Sequence, residues 1–414
     1  MISRRYAYIM FFMGILFFLY EYILRVSPGV MAGDLRETFQ INAGALSVMN
    51  SMFFQAYVWM QIPVGIILDK YSTRTVLTAA CFLCALGTLF FAVVSTFYLA
   101  VAGRLIIGLG ASFGFVGALK IAEGRLPQRH FAKAAGFLTA LGFSGAIFSD
   151  NVVTFFLNSH RWQEIFIFLG FVGIVLSVLI YLVVRDCHLL QKVQNGMTFS
   201  CVRKGFLQIV KNPFIWINGL IGFCYYFPTS VFAELLGQSY LKTVHNLSAE
   251  KATFAITMIF LGWAIGGIFI GWIIDRYQLS RTVLGIGGLF AAICITAVLY
   301  IPRLPYESIC LLLLFFGVFS SAEIVNYNYA RKISTKTFFA LALGITNMMV
   351  VLGGALFQPL IGWILDCNWQ GSMEGQLRIY SPADYKTAFW ILPAGLIIGS
   401  ILSCFLKRVE CSRE

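Results

Sequence analysis

Residues 65–77 read Gly65-Ile-Ile-Leu-Asp69-Lys70-Tyr-Ser-Thr-Arg74-Thr-Val-Leu77, an acid and two bases directly after a long apolar run. Residues 271–284 read Gly271-Trp-Ile-Ile-Asp275-Arg276-Tyr-Gln-Leu-Ser-Arg281-Thr-Val-Leu284, nearly the same phrase with one extra residue before the last base. The two aspartates stand 206 positions apart in a chain of 414, close to half its length. A charged phrase that recurs at that interval points to one unit written twice.

The apolar runs around the phrase set the class. Apolar residues make up 59% of the chain and charged residues 12%, too little charge to cover the surface of a water-soluble fold of this length. Forty phenylalanines and 38 glycines suit a bundle of membrane helices, where small residues let backbones approach. The net charge of +12 is then loop charge that holds connections on the cytoplasmic side. No basic stripe interleaved with aromatics stands in a soluble segment, so nucleic acid is excluded as a partner. Most of the ten cysteines sit inside apolar runs as packing residues, and none of the four histidines lies at a membrane centre, so neither a metal nor another cofactor is expected.

A helix needs about 20 apolar residues to cross the hydrocarbon. Runs of that kind lie near 6–31, 43–68, 75–97, 99–123, 131–157, 163–184, 212–240, 252–274, 282–302, 307–330, 337–365 and 385–406. The first follows Arg4 and Arg5 like a signal peptide, but it is too long and is interrupted by Glu21 and Arg25, so it reads as an uncleaved helix. With the N-terminus taken as cytoplasmic, 20 of the 30 lysines and arginines fall on the cytoplasmic side. Seven fall on the other side, and Arg25, Arg104 and Lys120 lie within spans. That asymmetry places both termini inside. The polar stretch 185–211 divides the chain into six spans (1–184) and six spans (212–414), an all-α membrane architecture with a substrate site expected between the halves.

Four motifs then resemble those of the major facilitator superfamily. Gly65-x-x-x-Asp69-Lys70-x-x-x-Arg74 looks like its loop 2–3 signature, and Gly271, Asp275, Arg276 and Arg281 look like the loop 8–9 counterpart. Arg104-Leu-Ile-Ile-Gly-Leu-Gly is similar to its span 4 signature. Arg161-Trp-Gln-Glu-Ile-Phe166 resembles the usual start of span 6 with Arg and Trp exchanged. The resemblance implies twelve helices in two pseudo-symmetric bundles, secondary transport rather than enzymatic activity, and a part in proton coupling for Arg104. Ser149-Asp150-Asn151 departs from the glycine-proline signature of the drug exporters in span 5, which argues against a drug antiporter.

The loop phrase has its own physics. Gly65 allows span 2 to pack closely on a neighbour. Asp69 can accept from the free N–H groups that open span 3, and Lys70 and Arg74 can pair with it or with lipid phosphates. With Gly271, Asp275, Arg276 and Arg281 in the second copy, this reads as a gating latch at the cytoplasmic edge, against the plainer reading of positive-inside anchors.

Charge inside a span costs on the order of 2.5–3.5 kcal/mol at mid-membrane, so each such residue needs a partner or a wet cavity. Glu21 and Arg25 are four apart on one face of span 1. They read either as a self-neutralising pair or as a cavity site in which Arg25 holds a carboxylate or phosphate and Glu21 an amine or proton. Arg104 lies in the outer third of span 4, with Asp150 as a candidate partner. Glu323 falls mid-span 10 with Asn326 and Tyr327, a polar cluster that expects a cavity. Glu234 sits toward the outer end of span 7 and reads either as snorkelling to the interface or as a functional residue. Gln55, Tyr225, Tyr226 and Asn347 complete the candidates. Lys120 and Glu123 read as interface residues. Gly110-x-Ser112-x-Gly114 matches the hydrolase elbow only by count, since it lies inside a span. No Walker loop is present, so nothing points to ATP.

The expected function is a monomeric, proton-coupled symporter in a bacterial inner membrane, carrying a small polar metabolite: an amino acid, short peptide or organic acid. The alternatives are an exporter or organic-anion exchanger of the same kind, or a non-transporting membrane sensor.

Overall fold

The computed structural model describes residues 4–126, 131–157, 159–185, 207, 209–277, 279–333, 339–374 and 377–406. Among the described residues twelve helices are long and apolar enough to cross a membrane: spans 1 (Arg5–Val30), 2 (Ala43–Leu68), 3 (Thr73–Val93), 4 (Phe97–Ala122), 5 (Gly136–Leu157), 6 (Trp162–Val183), 7 (Pro213–Val244), 8 (Ala249–Ile274), 9 (Ser280–Tyr300), 10 (Tyr306–Ala330), 11 (Ala342–Asn368) and 12 (Pro382–Ser403). These lie within a few residues of the expected runs. Spans 5 and 11 start later, at Gly136 and Ala342, span 7 continues to Val244, and span 12 starts earlier, at Pro382. Most of the expected linker 185–211 lies outside the described residues.

Local chemistry sets several boundaries. Asn42 opens span 2 by accepting from Ala45 N at 2.8 Å, and Ser72 opens span 3 by accepting from Thr75 N at 3.2 Å. Span 7 begins with Asn212 accepting from Phe214 N and with Pro213 in the first turn, where its missing N–H costs nothing. Ser381 and Asp384 form a capping box at span 12. Before it, a small antiparallel hairpin, Met373–Glu374 with Leu377–Arg378, folds over the tip of span 11.

Spans 1, 4, 7 and 10 each carry a proline or a break in regular helix. Span 1 contains Pro28. Span 4 breaks at Ser112, between helices Phe97–Ala111 and Phe113–Arg125. Span 7 contains Pro228 and then a π turn, Phe232–Leu236. Span 10 tightens to a 3₁₀ turn at Ser321–Glu323.

Two of these breaks match. Ser112 Oγ donates to Leu109 O and Ser321 Oγ donates to Val318 O, both at 2.7 Å and both one turn back. The packing before each break matches as well. A Cβ at Gly108 would overlap the Phe53 carbonyl of span 2, and a Cβ at Gly317 would overlap the Ile259 carbonyl of span 8. Backbone-to-backbone approach of this kind admits only glycine.

The first six and last six spans meet mainly where spans 2 and 11 run along each other and where spans 5 and 8 do. The hydrogen bonds across the seam begin at the end away from the termini: Arg36 to Arg378 O, Ala43 N to Tyr380 Oη, and Gly44 N to Asp366 Oδ2. They continue through Asn50–Gln358 and Gln55–Ala355 O to Asn347–Gln61 near mid-bundle. Asn151–Thr257 and Thr154–Thr253 join spans 5 and 8. The seam is thus zipped from the distal end to the middle.

Candidate functional site

At the foot of this zip lies a cavity of about 50 Å³. Its walls carry Arg25, Tyr57, Tyr226, Trp263, Glu323, Tyr327 and Asn347, from spans 1, 2, 7, 8, 10 and 11. One ordered water needs on the order of 10–15 Å³ of such volume, so the cavity holds a few waters and no six-carbon solute until its walls part.

Arg25 is the centre. Its guanidinium carbon lies 4.6 Å from the Tyr22 ring centre, 4.9 Å from Tyr57, 5.3 Å from Phe53 and 5.6 Å from Phe54, an aromatic box that stabilises a cation without neutralising it. One Nη donates to Tyr226 Oη at 3.0 Å, across the seam. The other is 3.6 Å from Glu21 Oε2, the helical i,i+4 ion pair expected from the sequence. Arg25 Nε and Nη2 and both Glu21 oxygens are buried without a hydrogen-bond partner among the described residues. Buried polar groups are seldom left so, which makes this cluster the candidate binding site.

Tyr226 Oη accepts from Arg25, approaches Tyr22 Oη at 3.3 Å, and donates to Glu234 Oε1 at 2.8 Å. Glu234 is therefore no snorkelling residue. It is fully buried, because span 7 runs on to Val244 and the π turn Phe232–Leu236 aims it inward. Glu323 lines the cavity from its 3₁₀ turn, with Oε1 unpartnered. Next to it Tyr327 donates to Asn347 Oδ1 at 2.8 Å, and Asn347 donates to Gln61 at 3.0 Å, a relay from span 10 through span 11 to span 2. Gly114 occupies, two residues after Ser112, the place that Glu323 holds after Ser321, and a Cβ there would stand 3.3 Å from Glu21 Cγ. The first half keeps that space for an acid on span 1.

Arg104 is fully buried, and both of its Nη groups serve structure while its Nε has no hydrogen-bond partner among the described residues. One Nη donates to Leu24 O at 2.8 Å and the other to Asn50 Oδ1 at 2.7 Å. Leu24 O needs this donor because the residue four ahead is Pro28, which has no N–H to give. Asn50 donates onward to Gln358 Oε1 at 2.8 Å, and Gln358 donates to Ser230 O at 2.8 Å, beside the π turn of span 7. The side chain of Asp150, the partner expected for Arg104, lies outside the described residues.

Other expectations need correction. Tyr225 faces away from the cavity and donates to Leu284 O of span 9. Asn326 turns toward span 7, 3.1 Å from a Cβ built at Gly222, and does not line the cavity. Gln55 sits at the seam, donating to Ala355 O at 3.1 Å. Gly65 and Gly271 have nothing within 4 Å of an added Cβ, so neither serves close packing in this conformation.

Two of the loop bases, Arg74 and Arg281, hydrogen-bond within their own halves. Arg74 donates to Tyr181 O at 2.6 Å and stacks on that ring at the end of span 6. Arg281 donates to Ser403 O and Cys404 O at the end of span 12. Arg276 is exposed, and the side chains of Asp69, Lys70 and Asp275 lie outside the described residues.

Sequence reading passed over Tyr57, Trp263, Asn50 and Gln358. The two amides carried a signal, being polar at mid-span; the aromatics did not, in a chain with 16% of them. Among the described residues no cluster of His, Cys, Asp or Glu could hold a metal.

A probable galactarate/D-glucarate transporter of Bacillus subtilis is 22% identical over 94% of this chain and 91% of its own length. A D-galactonate transporter of Escherichia coli is 23% identical over 83% of this chain and 85% of its own. A probable sulfoacetate transporter of Cupriavidus necator is 21% identical over 95% and 93%. Among solved structures, a bacterial homologue of the human lysosomal transporter Spinster, inward-facing and unoccupied, superposes with a TM-score of 0.77 at 15% identity over the whole of both chains. The model of the Major Facilitator Superfamily matches residues 9–236 and again 219–412, so this chain of twelve spans belongs to that superfamily of membrane transporters.

Proposed function

We propose that the protein is a secondary transporter that carries a small organic acid, of the sugar-acid kind, by alternating access and in symport with protons. One observation carries the reading: Arg25 is a buried cation in an aromatic box, whose Nε and Glu21-paired Nη make no hydrogen bond and can form the two-pronged grip that fits a carboxylate. The relatives are named for dicarboxylic, monocarboxylic and sulfonated acids, which favours an organic acid over an amino acid or peptide. Tyr226, Tyr327 and Asn347 supply donors and acceptors for hydroxyl groups. Buried carboxylates, rather than histidines, carry the proton, since no described histidine is deep enough.

The two matches of the family model and the paired breaks at Ser112 and Ser321 support a reading as duplicated bundles, 1–184 and 212–414, joined by a cytoplasmic linker at 185–211. The bundles rock about the cavity as a monomer in a bacterial inner membrane, with both termini cytoplasmic. Gly65 and Gly271 face open space here, which suits a role in the opposite state, where the terminal end closes and Asp69, Lys70, Asp275 and Arg276 latch it.

The test is uptake into proteoliposomes under an imposed pH gradient, with labelled galactarate, galactonate and sulfoacetate beside amino acids and dipeptides. Acid uptake should fall at least about tenfold in Arg25→Ala while the protein still folds, the scale set by losing a charge-assisted pair. Unchanged uptake in that variant, or uptake of amino acids alone, would overturn the assignment.

A further inference from the structure

At the middle of the bundle, the buried charged residues among those described are three carboxylates, Glu21, Glu234 and Glu323, and two guanidiniums, Arg25 and Arg104. Arg104 is occupied by Leu24 O and Asn50. Arg25 therefore answers to two acids from opposite halves. Glu21 shares its helix and travels with it. Glu234 comes from span 7 and reaches it only through the Tyr226 hydroxyl, which accepts at 3.0 Å and donates at 2.8 Å. The second Glu234 oxygen is buried with no hydrogen-bond partner. Spans 1 and 7 touch backbone to backbone here: a Cβ at Gly29 would stand 2.5 Å from the Glu234 carbonyl oxygen. Any parting of the two spans draws Glu234 away from Arg25.

A carboxylate that enters this cluster adds negative charge where the acids already outnumber the bases. In a dry interior that is costly unless a proton comes with it. Glu21 and Arg25 sit on one helix, so a movement of one half against the other does not separate them, and among the described residues no hydrogen bond joins Glu323 to Arg25. Glu234 is the acid whose partner the substrate takes.

We propose that Glu234 is the coupling acid: it binds a proton when a substrate carboxylate displaces Tyr226 from Arg25, and releases it when the substrate leaves. The inference rests on the reading of the cavity as an organic-anion site. The step is one proton transfer from water to a carboxylate oxygen. Tyr226 keeps its own proton, Arg25 stays cationic, and no bond in the substrate changes. The ionisable groups that face Glu234 are Glu21, Tyr22 and Arg25 of span 1, Arg104 of span 4 and Tyr226 of its own span.

The test uses the full chain in proteoliposomes. Without substrate, the Trp263 fluorescence is followed against pH by difference with Trp263→Phe, since that ring lies 6.1 Å from Tyr226. One protonation transition is expected, lost in Glu234→Gln and kept in Glu21→Gln. With galactarate as probe, the Kd should rise about tenfold per pH unit above the transition, the slope of one linked proton, and by less than about twofold in Glu234→Gln. Uptake driven by a pH gradient should fall at least about tenfold in Glu234→Gln, while galactarate exchange falls by less than about threefold, because coupling and binding are separate free energies. If Glu234→Gln does not fold, Glu234→Asp keeps an acid at this position and should move the transition to another pH rather than remove it, and a transition that does not move would overturn the proposal. The proposal is overturned if the transition survives in Glu234→Gln, if that variant still accumulates galactarate on the gradient, or if exchange and driven uptake fall together. Should the wild type neither bind nor exchange galactarate, the organic-anion reading fails, and the fluorescence titration still decides whether Glu234 takes the proton.

Discussion

Replacing Asp366 by Ala should loosen the distal seal. Asp366 stands at the tip of span 11, 14% exposed at its side chain, and accepts from Gly44 N at 2.9 Å, from Tyr380 Oη at 2.5 Å and from Arg378 at 3.3 Å. Only the first of these crosses the seam, since Arg378 and Tyr380 move with span 11. Tyr380 makes a second crossing by accepting from Ala43 N at 3.0 Å, and Asp366 holds it in place. Ala43 and Gly44 N–H are donors that open span 2 and have no partner within it. A hydrogen bond to a charged acceptor contributes about 1.5–3 kcal/mol, and partial exposure favours the lower part of that range. At about 1.4 kcal/mol per factor of ten, a loss of about 1.5–2 kcal/mol raises the population open at this end roughly 10- to 30-fold.

The assay is labelling of Cys at position 47, introduced as Ser47→Cys in a background with the native cysteines replaced. Ser47 is fully buried, and its hydroxyl lies 2.5 Å from a Cβ built at Gly362 of span 11, so a charged thiol reagent reaches it only when the seam parts. The labelling rate should rise by that factor in Asp366→Ala. Gly44→Ala, whose new methyl would collide with Asp366 Oδ2, should raise it too, and should add little on top of Asp366→Ala. A rate within about twofold of the parent would show that Asp366 does not hold the seam and would refute the reasoning.

Arg104→Lys should destabilise the protein by about 1.5–3 kcal/mol in denaturant titration and lower transport, because a single ammonium cannot serve Leu24 O and Asn50 together. His245, just past span 7, is half-buried with Nε2 donating to Val298 O at 3.0 Å, and burial pushes its pKa below 6.5 while that bond pulls it up. The unfolded chain then binds the proton more readily, so stability should fall as pH drops through about 6.5, and His245→Gln should flatten that part of the melting-temperature profile.

The twelve spans were legible because a run of about 20 apolar residues has few alternatives to crossing a bilayer. Glu21, Arg25 and Glu323 were legible for the converse reason, since a charge within such a run demands an explanation. Rotation about the helix axis was not legible. Tyr225 and Tyr226 are neighbours about 100° apart on a helix apolar on every side, and nothing in the sequence says which one meets the cavity. Glu234 was misjudged by its distance from an assumed helix end, which span 7 overruns through a proline and a π turn. Asn50 and Gln358 were visible as polar residues but not as a pair, because their contact joins positions 308 apart.

The bond from Arg104 to Leu24 O has a consequence for engineering. Helix-breaking residues invite repair, and Pro28→Ala would look like an improvement to span 1. The mended turn would supply Leu24 O with an amide of its own, and the guanidinium would then keep only Asn50 as a lodging in the oily middle of the protein. Imperfection in one helix and surplus charge in another are a matched set here, and a stabilising programme that treats them separately should expect each correction to fail alone.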